Sequence, residues 1–395
     1  MAGPLYGLKV VELQGRGPGP FGTMVLADLG AEVVSVARVQ DVDAGREETG
    51  TERMLRGHRS IDLVTRGKRS VAIDLKHPDG LATALRLVDQ ADVLVEGNRP
   101  GVAERLGIGP DTCTGRNPRM VYARITGWGQ DGPYAQVPGH DINYVALAGA
   151  LHHLRREGQA PMPPLNLLGD YGGGGMLLVV GILSALVERS VSGRGQVVDA
   201  AMVDGVGLLT TIFHGMRAEG LWSDEPGTNI LDLGSPHYNL YETADGRYVS
   251  VGAGEPQFYR ELLRRLGVDE TLVDVQGEPT TWPAGRERLA AVFRTKTLRE
   301  WCDTLEGADT CFAPVLSMAE APQHPHHRAR QAFIEVDGVV QPAPAPRFSR
   351  TPPATPGPSV AAGRDSADVL VSWGFDPTEV TRLLASGAVG QAAPA

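Results

Sequence analysis

The chain has 395 residues, 42% hydrophobic and 21% charged, with a formal net charge of -10. That length exceeds one ordinary domain and predicts two lobes. The composition is that of a soluble globular protein, and the acidic balance speaks against a polyanion binder, so nucleic acid is not an expected partner. Cys113, Cys302 and Cys311 have no CxxC spacing and are odd in number, which fits neither a zinc site nor a disulfide framework and suits a reducing cytoplasm.

The N-terminus runs into a strand-like segment without the charged-then-apolar pattern of a signal peptide. Residues 8–13 (LKVVEL) form a first strand, followed by the turn Gly15-Arg16-Gly17-Pro18-Gly19-Pro20 and a helix reaching about Leu29. A second strand occupies 32–38, and further strands are expected at 70–75, 92–96 and 120–125, with 79–89 helical. Strands alternating with helices predict a mostly parallel sheet covered on both faces. The longest apolar run, 176–187, is shorter than the roughly 20 residues a membrane span needs, and reads as a buried core helix with no membrane role.

A helical passage over 203–220 leads to a different pattern: 238–243 and 247–252 alternate like paired strands around Asp245-Gly246, a strong hairpin turn. This predicts a smaller α+β lobe. Residues 340–358 are proline-rich and read as an extended connection. Residues 365–387 are amphipathic, and 391–395 are expected to fray. The expected organisation is therefore a large α/β domain over 1–200 completed by 325–395, linker helices over 201–235, and a small α+β domain over 236–324.

The glycine-rich first turn is a poor dinucleotide fingerprint. Pro18 and Pro20 remove two backbone donors, and the second strand ends in Arg38, which suits a phosphate better than a ribose diol. The run Gln323-His324-Pro325-His326-His327 carries three imidazoles, but Pro325 interrupts it and no HExxH or carboxylate partner is near, so a solvated loop is expected and no metal site. GxSxG and GxxxxGK[ST] are both absent. Three segments remain: GHDINY (139–144), NLLGDYGGGG (166–175) and GAGEP (252–256). Taken singly, Asp170 fits a helix cap, His140 a core histidine, and Glu255 a surface residue after a strand.

Together with LYGLKVVEL (5–13), GKRSVAIDLK (67–76), ADVLVEGNRPGV (91–102), RITGWGQ (124–130) and GQVVDAAM (195–202), these segments resemble CoA-transferase family III, in particular its α-methylacyl-CoA racemase branch, over nearly the whole chain. The resemblance implies a large Rossmann-like lobe, a smaller α+β lobe and an interlocked homodimer with active sites between the lobes of opposite chains. It implies that CoA, as part of an acyl-CoA thioester substrate, is held by Arg38, Ile73, Asp74, Leu75, Lys76, Gly97, Asn98, Arg99 and Arg105, with Gly139, Ile142, Asn143 and Tyr144 completing the binding segment. No separate cofactor is implied. Arginines and a lysine at successive strand ends of an acidic protein agree with this.

In transferases of the family an aspartate matching Asp170 is a nucleophile, so the distinction rests on His140 and Glu255, which resemble the racemase branch. Removing a thioester α-proton needs a base and stabilisation of the enolate oxygen, and inversion needs a proton returned on the opposite face. The resemblance assigns His140 to one face and Asp170 to the other. Glu255 then orients the imidazole, with Asp141 a second orienting acid. Alternatives are a CoA-transferase using Asp170, or a non-catalytic acyl-CoA binder. A long arginine-rich and acidic loop over 42–65 is expected to cover the acyl or adenine end.

Overall fold

The structure is a computed structural model and describes residues 3–42 and 62–393. Most of the 42–65 loop therefore lies outside the described residues. The chain divides into two compact units, one comprising Met1–Ala148, Leu165–Leu209 and Gln331–Ala395, the other Gly149–Pro164 and Thr210–Arg330.

The first unit is built on a seven-stranded sheet of β1 (Lys9–Leu13), β2 (Glu32–Ala37), β3 (Arg69–Ile73), β4 (Val93–Glu96), β5 (Val121–Thr126), β6 (Val197–Ala201) and β12 (Val389–Gly390). Their order is β12-β3-β2-β1-β4-β5-β6, all parallel except β12, which pairs antiparallel with β3. Period-two side-chain alternation sorts the apolar residues onto two faces. Val10, Val33, Val93, Val95 and Val121 pack with Leu178 and Ile182. Val11, Val34, Val36, Val71, Leu94 and Tyr122 pack on the other side with Leu87, Val369 and Trp373.

The helix Pro78–Gln90 begins with a proline in its first turn, and its His77 cap accepts the Asp79 amide at 3.1 Å. It buries Gly80, Thr83, Ala84, Leu87 and Val88, one stripe at helical spacing. The C-terminal segment forms two helices, Ser366–Ser372 and Pro377–Ala385, before β12 closes the β3 edge. The expected fraying from 391 is corrected in part, since Gln391 donates to the Arg364 carbonyl at 2.6 Å and Ala392 to that of Gly363 at 3.1 Å.

Three further expectations are corrected. The apolar run lies in a continuous helix, Leu167–Ser192, of 26 residues, the one helix among the described residues long and apolar enough to cross a membrane. It buries Leu178, Val179, Ile182 and Ala185 but exposes Met176, Val180, Val187 and Val191. The passage 203–220 is two helices, Met202–Leu209 and Thr211–Ala218, broken at Thr210. The proline-rich connection begins as a hairpin of β10 (Phe333–Val336) and β11 (Val339–Pro342), turning at Asp337-Gly338, both with positive φ.

The second unit holds a three-stranded antiparallel sheet of β7 (Tyr238–Glu242), β8 (Tyr248–Gly252) and β9 (Phe312–Pro314), in that order. Val249 and Val251 pack with Leu262, Leu289, Phe293 and Trp301. This unit also takes in 149–164 and 210–235, which differs from the expected boundaries. His153 accepts from the Trp222 indole at 3.1 Å, and Trp222 packs on Phe213, which ties those segments together. The histidine run is not a loop throughout: Pro325–Arg330 is a short helix, and His324 lies 3.0 Å from Glu306.

Candidate active site

In a doubly wound sheet of order 3-2-1-4-5-6 the connections leave β1 and β4 in opposite directions, which opens a crevice at their carboxyl ends. A cavity of about 270 Å³ sits there. Its walls come from the ends of β1 (Glu12, Leu13), β4 (Val95) and β5 (Ile125, Thr126), the turn after β1, the loop after β4 (Gly97, Asn98, Arg99), and Gly139, His140 and Tyr144.

The turn after β1 is held from beneath. Lys68 Nζ donates to Glu12 Oε2 at 2.8 Å, to the Pro20 carbonyl at 2.9 Å and to Thr23 Oγ1 at 2.7 Å, while Thr23 Oγ1 donates to the same Glu12 oxygen at 2.8 Å. The Lys68 and Glu12 side chains are 1% and 2% exposed. Gly17 in this turn has φ 68°, and a Cβ there would stand 3.3 Å from Asp170 Oδ2, so the glycine permits both the backbone angle and the approach.

Asp170 lies in the first turn of a π-helical segment, Leu167–Met176, which continues as the α-helix Leu177–Ser192. Such segments recur at functional sites, and a helix start favours negative charge. The Asp170 amide donates to Asp141 Oδ1 at 2.7 Å, and Asn166 Nδ2 donates to Asp170 Oδ2 at 3.1 Å. Burial pushes the Asp170 carboxyl above the ordinary aspartate range; the Asn166 hydrogen bond lowers it, the Asp141 charge raises it, and a protonated His140 lowers it. His140 and Asp170 are thus within electrostatic reach of each other.

His140 caps the helix Asp141–Leu147, with its backbone N–H donating to Asn143 Oδ1 at 3.0 Å and its imidazole exposed at the cavity wall. Asp141 is buried and serves the Asp170 backbone, a different engagement from the imidazole expected of it. Tyr144 is buried against Trp128 with ring centroids 4.7 Å apart, and any side chain at Gly127 would run into its ring. Burial first, then the charges of Asp170 and Asp141, push its phenol up to about 12, while Arg99 opposes them. Tyr144 therefore stays a neutral donor beside the carboxylates.

Of the residues expected to hold CoA, Gly97, Asn98, Arg99, Gly139 and Tyr144 line the cavity. Ile142 and Asn143 follow His140 on the helix and are exposed. Ile73 ends β3 and is buried, Asp74 Oδ1 accepts the Lys76 amide at 2.9 Å, Leu75 packs at the edge of the core, and Lys76 and Arg105 are exposed. Arg38 meets Asp41 at 2.8 Å. Glu255 belongs to the second unit and caps the helix Pro256–Leu266 after β8.

Glu12, Lys68, Arg16 and Trp128 carried no assignment from the sequence. A glutamate inside the apolar LKVVEL and a lysine just before the next buried strand were the available signal, because a charge buried in a sheet requires a partner.

The chain matches the family model CoA-transferase family III over residues 5–366. It is 45% identical to the alpha-methylacyl-CoA racemase of Mus musculus and 41% identical to that of Homo sapiens, each over 385 residues covering 96% of both chains. The crystal structure of a CAIB/BAIF family protein from Brucella suis superposes with a TM-score of 0.78 at 25% identity, covering 94% of this chain and 100% of that one.

Proposed function

The chain belongs to CoA-transferase family III, and on that premise we propose that it interconverts the 2R and 2S epimers of a 2-methylacyl-CoA thioester by removing and returning the α-proton through an enolate. The observation that carries this reading is that His140, at the cavity wall, and Asp170, whose carboxylate stands against Gly17 in the turn after β1, lie on two separate helix starts within electrostatic reach of each other. The full-length similarity to two proteins named alpha-methylacyl-CoA racemase supports it.

A carboxyl raised by burial is a stronger base than an ordinary aspartate, and an imidazole can act as either acid or base. Either group takes the α-proton from its face while the other, protonated, returns one. The Asp170 amide is already engaged by Asp141, so the donor to the enolate oxygen comes from elsewhere at the helix start or from the cavity wall. Asn98 and Arg99 at the cavity, with Arg38, residues 73–76 and Arg105, hold the CoA part, and Glu255 orients the imidazole.

Incubating one epimer with the purified protein and an isotopically labelled free carboxylic acid separates this from thioester transfer. The other epimer should accumulate without label entering the thioester pool. Label entering as fast as the epimer forms overturns the racemase reading in favour of a transferase.

The active form we propose is a homodimer, in which a second copy covers the apolar face formed by Met176, Val180, Val187, Val191, Leu208 and Leu209. Sedimentation should give a dimer down to nanomolar concentration, with no binding to phospholipid vesicles. An active monomer, or a monomer that binds vesicles, contradicts it.

A further inference from the structure

We propose that Arg124 is a positioning residue for acyl-CoA: its guanidinium ties the loop after β4 and the helix Val102–Arg105 to the end of β5, and so sets affinity for the CoA part of the substrate. The inference rests on the reading above that this cavity takes acyl-CoA.

Arg124 stands opposite Glu96 in the β4–β5 register, immediately before the Ile125–Trp128 stretch that contributes to the cavity wall. Its Nε donates to Glu96 Oε1 at 2.8 Å, and the other oxygen of that carboxylate accepts the Asn98 amide at 2.7 Å. Its outer edge donates to Glu104, at 2.9 Å to Oε1 and 3.4 Å to Oε2, on the helix that also carries Arg105. One planar cation thus fixes the backbone of Asn98, which lines the cavity, and the helix next to it.

The Arg124 and Glu96 side chains are 7% and 0% exposed, whereas Glu104 is 43% exposed. Desolvation offsets most of the attraction in such a buried pair, and an apolar pair of similar size would serve stability as well. An apolar pair cannot hold the Asn98 amide. Lysine cannot replace the arginine either, because a single ammonium lacks the fork that reaches two carboxylates on different edges. Geometry of the loop is therefore what this network supplies, from Arg124 and Glu104 behind the wall of the cavity that Asn98 shares with His140.

The test uses the full chain and its Glu104→Gln and Arg124→Lys variants. Acetyl-CoA binding is measured by titration calorimetry, epimerisation by steady-state kinetics, and folding by circular dichroism. Glu104→Gln, on a half-exposed side chain, should weaken acetyl-CoA binding about threefold and Arg124→Lys about tenfold or more, the scale of lost charge-assisted hydrogen bonds. The loss should appear in KM, with kcat at saturation little changed. Two folded variants that bind acetyl-CoA as the wild type does, or a loss confined to kcat, overturn the inference while leaving the proposed function standing. A wild type that binds no acetyl-CoA removes both.

Discussion

His140→Ala and Asp170→Asn each lose racemisation by at least roughly 100-fold, the scale of a lost general acid or base, and retain α-hydrogen exchange for opposite epimers. The reason is facial. Inversion needs both groups, one to take the proton and one to return it, whereas exchange on a single face needs only the group on that face. Asp170 also sets a pH dependence. Burial, the largest influence, and the neighbouring Asp141 charge raise its carboxyl, so on acidification the basic form is lost at higher pH than for a free aspartate. The acid limb of kcat/KM for the epimer deprotonated by Asp170 should therefore lie above the ordinary carboxylate range, and it should be missing from the residual exchange of Asp170→Asn. Deuterium incorporation measured separately for the two epimers across pH decides this. Both variants favouring the same epimer contradicts the opposed-base assignment.

Lys68→Met destabilises the protein by about 3–5 kcal/mol, the usual consequence of removing one partner of a buried ion pair. Among the described residues the lysine is the only cation on Glu12 in its hydrogen-bond network and Glu12 Oε1 has no hydrogen-bond partner, and both side chains are almost fully enclosed. Without the ammonium, the carboxylate is left buried with the Thr23 hydroxyl as its one hydrogen-bond donor among the described residues. Adding Glu12→Gln to Lys68→Met should recover part of the loss, because a neutral amide costs less to bury than an unpaired charge. Denaturant unfolding of the single and double variants measures both effects. A loss below about 1 kcal/mol for Lys68→Met, well under the range for a broken buried pair, shows that the pair is not enclosed as described. Because Lys68 also holds the Pro20 carbonyl, the same variant should loosen the turn that brings Gly17 against Asp170.

The five strands expected at 8–13, 32–38, 70–75, 92–96 and 120–125 all form, shifted by two residues at most. Each is an apolar run bounded by turns, the pattern that a sheet covered on both faces imposes. Edge strands escaped that logic. Val197 in β6 is exposed and β12 is two residues long, so neither has a distinctive apolar signature. The Asp337-Gly338 hairpin carried the same dipeptide as Asp245-Gly246, but the prolines that follow it drew its second strand into the expected connection. The break at Thr210 lacks a glycine or proline to mark it, and the inclusion of 149–164 in the second unit depends on His153 meeting Trp222, 69 residues away.

At the site, His140 and Asp170 each lie in a compact motif that resembles the racemase branch, and each stands at a helix start, while their catalytic roles rest on the proposal above. The engagement of Asp141 by the Asp170 amide spans 29 residues, and that of Lys68 by Glu12 spans 56. Contacts of that kind are set by strand order and register, which local pattern does not encode. Glu255 lies in the second unit, and its role as imidazole partner rests on the proposal above.

The most direct measurement starts from a single pure epimer of a 2-methylacyl-CoA in deuterated water, with purified protein and no acceptor acid, and follows α-deuterium and configuration together by NMR and chiral separation. Formation of the opposite epimer, carrying solvent deuterium at C2, is the predicted result. Recovery of the starting epimer with its α-hydrogen intact, from a folded protein that binds the thioester, would contradict the account.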